Sequence, residues 1–143
     1  MVRVFLDANV YFSGFFSQRG ASALLLELVQ KKKIKIAASR LVLREADRNL
    51  RKKADAKIRK IFHQLLNQTK IQIAPPPDEK VLENYYELIH PKDAPVLAAA
   101  AESKVDFLIT LDRRHLLTPK VKSHIKHPKI LTPGDFLTSE ILR

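Results

Sequence analysis

Five short runs rich in β-branched and apolar residues punctuate the chain, at Val2 to Leu6, Ile34 to Ala38, Ile71 to Ile73, Phe107 to Thr110 and Lys129 to Leu131. Segments with apolar residues at helical spacing lie between them. Strands that alternate with helices pair in parallel, because each crossover lays a helix back over the sheet. The expected fold is therefore α/β, a doubly wound domain with a mostly parallel central sheet of about five strands flanked by helices.

The helical segments can be placed by their caps. Asp7 closes the first strand and turns the chain into a helix, and Ala23, Leu24, Leu26, Leu28 and Val29 populate a helix ending in Lys31-Lys32-Lys33, cations suited to a helix C-terminus. Ser39 is a good N-cap for a helix carrying Val42, Leu43, Ala46 and Leu50. Ile58, Ile61, Phe62, Leu65 and Leu66 give another amphipathic helix. A helix is expected over Val81 to Ile89, and an alanine-rich one over Ala94 to Ser103 with Pro95 in its first turn. Pro133 opens a last helix through Phe136, Leu137, Ile141 and Leu142. Pro75-Pro76-Pro77 is the one conspicuous break, and three prolines make a stiff bend inside a domain as readily as a boundary. One domain over 1–143 is expected.

At 143 residues with 45% apolar side chains, the chain can bury a core of its own. No cysteine is present, which excludes disulfides, thiolate metal sites and cysteine nucleophiles. The longest apolar stretch, Ala94 to Ala101, is far short of the ~20 residues a membrane span needs. Met1 to Asp7 carries no signal-peptide core, so a cytoplasmic location is expected. The formal net charge of +11 makes nucleic acid the leading partner class, with a solubilising surface as the plain alternative.

The acids sort by position. Asp7 ends the first strand and Asp112 lies just past the fourth, and in an open parallel sheet ligands bind outside the carboxyl ends of strands where the strand order reverses. Asp93 precedes the Ala94-Pro95 helix start, and each of these aspartates has an alternative role as a helix N-cap. Glu45 and Asp47 lie about equally far off the apolar stripe of their helix, so periodicity does not choose between them.

Taken together, Asp7-Ala8-Asn9 after a strand, Glu45 in the helix after the second strand, Lys92-Asp93-Ala94 opening an alanine-rich helix, and Leu108-Ile109-Thr110-Leu111-Asp112 resemble the PIN-domain nucleases. More narrowly, the chain resembles the VapC-like toxins of toxin-antitoxin systems, and Leu131 to Leu137 looks like that family's last strand and helix. The resemblance implies a PIN-like fold with Asp7, Glu45, Asp93 and Asp112 as the catalytic and metal-binding quartet, and Asn9 and Thr110 as polar neighbours. It selects Glu45 over Asp47. Leu111 departs from the glycine that many members carry before the last acid, in the turn that aims Asp112.

Clustered carboxylates suit Mg²⁺ or Mn²⁺, which take oxygen ligands, keep several waters and orient water for attack on phosphorus. The implied activity is a metal-dependent endoribonuclease, leaving a 5′-phosphate and a 3′-hydroxyl, acting as the toxin of a toxin-antitoxin pair. RNA substrate, a homodimer and an antitoxin protein are the implied partners. A PIN-like module that binds nucleic acid or protein without cleaving is the alternative. A phosphoaspartyl enzyme fits less well, because Asn9 stands where such phosphatases carry a second aspartate.

Basic residues flank the quartet between Arg44 and Lys60 and between Lys104 and Lys129, and Arg113 and Arg114, adjacent to Asp112, are the candidate RNA contacts. His115 reads as a turn or packing histidine, with substrate contact as the sharper option. His124 and His127 have no nearby cysteine or acidic pair to complete a zinc set. Of Tyr85 and Tyr86, one is expected in the core, with base stacking as the alternative role.

Overall fold

The computed structural model describes residues 1–139; Ile141 and Leu142, expected in the last helix, lie outside the described residues. In chain order the elements are β1 (Arg3–Leu6), α1 (Ala8–Ser17), α2 (Gly20–Gln30), β2 (Lys35–Ser39), α3 (Arg40–Lys53), α4 (Ala56–Gln68) and β3 (Ile71–Ala74). There follow α5 (Glu79–Glu83), α6 (Ala94–Glu102), β4 (Phe107–Ile109), α7 (Pro119–His124), β5 (Lys129–Leu131) and α8 (Pro133–Leu137). The five strands form one sheet in the order β3-β2-β1-β4-β5, and every neighbouring pair is parallel. Strand order reverses between β1 and β4, which opens a crevice beyond their carboxyl ends.

Three elements differ from the sequence expectation. The crossover from β1 to β2 contains two helices, because Gln18 takes a left-handed conformation (φ 57°) and Gly20 another (φ 85°), which no helix continues through. Gly14 lets α2 lie close against α1: a Cβ there would collide with the Leu26 side chain and approach the Ser22 carbonyl to 3.0 Å. The helix expected over Val81 to Ile89 is regular only through Glu83 and then gives way to turns, in which Tyr85 and Tyr86 are both half-buried against the core. The Tyr86 hydroxyl donates to Glu79 Oε1 at 3.0 Å. The short α7, capped by the Thr118 hydroxyl, has too few apolar residues to betray itself by periodicity.

The core lies on both faces of the sheet. Phe5, Leu6, Leu108 and Ile109 are fully buried in the two central strands. On one face Phe62 of α4 packs edge-on against Tyr11 (5.9 Å between ring centroids) and Phe15 (5.5 Å) of α1. The crossover from β3 to β4 runs back across the sheet, and its right-handed sense carries α6 over the other face. There Leu97 is buried together with Ala94, Ala98, Ala99 and Ala100, small side chains that let the helix sit low on the strands. No helix among the described residues is long and apolar enough to cross a membrane.

Candidate active site

Strand register brings the first and fourth strand ends together. Val4, Phe5 and Leu6 of β1 pair with Phe107, Leu108 and Ile109 of β4, and the Asp7 N–H continues the ladder by donating to the Ile109 carbonyl at 3.0 Å. The next residue on each strand is therefore Asp7 beside Thr110, which is fully buried. The Thr110 hydroxyl donates to Asp7 Oδ2 at 2.8 Å, and the Asn9 amide donates to the same oxygen at 3.3 Å. Asp7 Oδ1 accepts from the Ala8 N–H at 2.8 Å, so this aspartate is also the cap of α1. The two roles coexist because a carboxylate has lone pairs for both.

The turn that carries Asp112 does not require glycine. Leu111 does not adopt a left-handed conformation, and its N–H donates to Asn9 Oδ1 at 3.1 Å while its side chain is exposed to solvent. The Asp112 N–H donates to Thr110 Oγ1 at 3.0 Å. Asn9 and Thr110 thus hold the turn. Asp112 Oδ1 then accepts from the N–H groups of Arg114 (3.1 Å) and His115 (3.0 Å), leaving Oδ2 turned elsewhere.

Asp93 stands at the cap position of α6 and yet does not cap it. Its backbone is right-handed helical (φ −97°, ψ −11°), and its carboxylate makes no bond to the helix N-terminus. The explanation of Asp93 as an N-cap therefore fails. Its Oδ2 instead lies 3.5 Å from His115 Nδ1, which is 3.4 Å from Asp112 Oδ2.

Ser39, whose hydroxyl accepts from the Val42 N–H at 3.2 Å, starts α3 beside β1. The next turns put Glu45, Arg48 and Asn49 on the wall of a cleft of about 270 Å³. Asp7, Asn9, Lys92, Asp93 and Asp112 line the rest of it. All four acids of the expected quartet therefore border one cleft. Asp47 points away from it and accepts from Arg59 Nε at 2.9 Å and Nη2 at 3.1 Å, with His63 Nε2 at 2.8 Å. The Arg59 hydrogen bonds hold the Asp47 carboxyl down to about 2, helped by His63.

Burial lifts the Asp7 carboxyl to about 6, against the lowering effect of the Thr110 and Ala8 hydrogen bonds, and the charges of Glu45 and Asp112 add to the rise. An aspartate that costs free energy to ionise beside two further acids is relieved by a cation. The donors suit a hard divalent ion, since four carboxylates face one water-accessible space. Asp93, Asp112 and His115 each offer a ligand atom, all within 4.8 Å of one another.

Sequence reasoning missed three residues here. Arg48 and Lys92 are the cations on the cleft wall, whereas Arg113 and Arg114 are exposed on the turn after Asp112 and do not line it. His115 sits in the turn after Asp112, as one of its expected roles had it, and its ring also joins the acidic cluster. Its position three residues after Asp112, within reach of the same carboxylate, was the available signal.

A profile of the PIN-domain family matches residues 3–114. A search of curated protein sequences finds no match. Among solved structures, the fold is similar to a chain in the VapBC2 structure from Rickettsia felis bound to a DNA fragment from their promoter. That match has a TM-score of 0.59 and 19% identity over 91% of this chain and 97% of that one. It is similar also to a chain in the FitAcB structure from Neisseria gonorrhoeae, with a TM-score of 0.59 and 14% identity over 92% of this chain and 98% of that one.

Proposed function

The chain belongs to the PIN-domain family, and on that premise we propose that it is a divalent-metal-dependent endoribonuclease and the toxin half of a toxin-antitoxin pair. The observation that carries the reading is the cleft itself: Asp7, Glu45, Asp93 and Asp112 come from four separate stretches of chain and border one space of about 270 Å³. Helix caps have no reason to converge.

These four residues would hold Mg²⁺ or Mn²⁺, which supplies charge for the phosphoryl oxygens and acidifies a water at neutral pH. The chain's own contribution is positioning. Thr110 and Asn9 fix the Asp7 carboxylate from one side and Asn9 fixes the Asp112 turn from the other, so that two acids 105 residues apart share one rigid mount. Arg48 and Lys92 border the cleft as the cations that draw in and seat the phosphate to be cleaved. Arg113 and Arg114 extend the basic surface past Asp112, for phosphates further along the strand.

The similarity to chains from the VapBC2 and FitAcB structures supports an antitoxin partner, and a homodimer is part of the same proposal. Phe16, Leu24, Leu41, Ile61 and Ile73 are exposed apolar side chains that such partners would cover.

The test is cleavage of RNA by purified protein. Mg²⁺ or Mn²⁺ should support it, EDTA should stop it, and Asp7→Asn and Asp93→Asn should each lose at least about 100-fold in rate while still binding RNA. Cleavage that persists in EDTA, or in Asp7→Asn, would overturn the metal mechanism. A parent protein inert with every ion and RNA class tried would favour a PIN-like binding module without catalysis.

A further inference from the structure

The acidic cleft is not chemically uniform along its length. Asp7, held by Thr110 and Asn9, and Glu45 offer it oxygen donors only. Beside Asp93 and Asp112 the donor set changes, because His115, which does not itself line the cleft, brings a ring nitrogen to both carboxylates.

The distances there suit a ligand set. His115 Nδ1 lies 3.5 Å from Asp93 Oδ2 and 3.4 Å from Asp112 Oδ2. Both exceed the ~2.7–2.9 Å of a charge-assisted hydrogen bond. Donor atoms that share one ion at bonds of ~2.1 Å stand about 3.0–3.4 Å apart, depending on coordination geometry. All three donor atoms lie within 4.8 Å of one another, close enough to converge on one ion.

The surrounding bonds leave these atoms free. Asp112 Oδ1 is occupied by the Arg114 and His115 N–H groups, so its orientation is fixed with Oδ2 facing the cluster. Asp93 gives up the capping bond that its position offers. The His115 backbone is itself tied to Asp112, which sets where the ring stands. All three side chains are partly open to solvent, so an ion can enter.

From this geometry, and resting on the reading of the cleft as a divalent-metal centre, we propose that His115 is a direct nitrogen ligand of the cation held by Asp93 and Asp112, and that it biases the site towards Mn²⁺ over Mg²⁺. Mg²⁺ takes oxygen donors and holds its waters, whereas Mn²⁺, though it too favours oxygen, is a transition ion and gains more from one imidazole than Mg²⁺ does. His115 is thereby a specificity-determining residue for the metal, distinct from the four acids that any hard divalent ion would use.

Binding and spectroscopy test this without reference to turnover. Titration calorimetry on the parent should give tighter binding of Mn²⁺ than of Mg²⁺, and the pulsed EPR spectrum of the Mn²⁺ form should show coupling to a coordinated imidazole nitrogen. His115→Ala should weaken Mn²⁺ binding about 10-fold and Mg²⁺ binding less than about 3-fold, and abolish the nitrogen coupling. Glu45→Gln, which removes an oxygen donor, should weaken both ions and keep the coupling. A parent Mn²⁺ complex without nitrogen coupling would overturn the proposal while leaving the metal centre standing, as would a Mn²⁺ to Mg²⁺ ratio unchanged in His115→Ala. A parent that binds neither ion would overturn the metal centre itself and His115's role with it.

Discussion

A single aspartate carries the tension between stability and chemistry in this molecule. Asp7 is buried, and its folded-state pKa of about 6 lies above the ordinary 3.8. The folded protein therefore holds that proton more tightly than the unfolded chain does. The resulting stability is fully present below about pH 3.8 and is lost as pH rises through about 6, by up to about 3 kcal/mol in the metal-free protein. Asp7→Asn cannot ionise and keeps an acceptor for Ala8, while the Thr110 hydroxyl can turn to accept from the new amide. In EDTA at pH 7 the variant should therefore melt several degrees above the parent, and the gap should shrink as pH falls and close below about pH 3.8. Thermal melts across that range decide it: a gap independent of pH would mean that burial does not oppose ionisation of Asp7. Stabilisation joined to loss of cleavage is the pattern of a functional acid, since a mere cap would gain nothing from asparagine. At this scale the sequence was informative about Asp7 and Asp112, whose places at strand ends follow from topology. It was silent on Glu45 against Asp47, which sit symmetrically about the helix stripe, and only Arg59 and His63, arriving from α4, show which one is structural.

α4 carries no residue of the cleft but braces α3, which does. Asp47 ties α3 to α4 through Arg59 and His63, and Phe62 buries the same helix against Tyr11 and Phe15. The Asp47 carboxyl sits near 2, below its ordinary 3.8, so its contribution exists above about pH 3.8 and fades as pH falls through about 2. The pair is partly exposed, so solvent screens it. Asp47→Asn should lower the thermal midpoint by no more than a few degrees and leave cleavage intact, the opposite of Glu45→Gln. Loss of cleavage in Asp47→Asn at full folding would show that α4 helps to aim α3. Phe62→Ala, by contrast, opens a cavity beneath two aromatic rings and should cost about 3–5 kcal/mol by denaturant titration. Helices of this kind, with apolar residues at i, i+3 and i+4, were legible in advance. The split between α1 and α2 was not, because Gln18 gives no sign in the sequence that it will turn left-handed. The turn at Leu111 shows the converse: a position where glycine is expected by resemblance is held by the Asn9 and Thr110 side chains, a pairing over 101 residues that no local pattern reveals.

The whole molecule presents a net charge of +11 around an acidic cleft, two fields of opposite sign that an RNA strand must reconcile. Composition announced the positive field and the family pattern announced the acids, but their arrangement depends on which cations reach the cleft. Arg48 and Lys92 border it, and Arg113 and Arg114 stand outside on the exposed turn after Asp112. Phosphate contacts on single strands each contribute a log-log salt slope of ~0.7, so removing either pair should flatten the slope of RNA binding by about 1.4 if both of its members touch phosphate. In an Asp7→Asn background, where RNA is bound without being cut, Arg48→Ala with Lys92→Ala and Arg113→Ala with Arg114→Ala should each show that loss across unrelated sequences. The two pairs should separate in turnover. Cations at the reacting phosphate act on it in the transition state, so the cleft pair should lower kcat at saturating RNA. Cations beyond the cleft bind substrate and transition state alike, so the outer pair should raise KM and leave kcat unchanged. An unchanged salt slope for Arg113→Ala with Arg114→Ala would reduce those arginines to a solubilising surface. A kcat effect confined to the outer pair would place the scissile phosphate outside the cleft and overturn the assignment of Arg48 and Lys92.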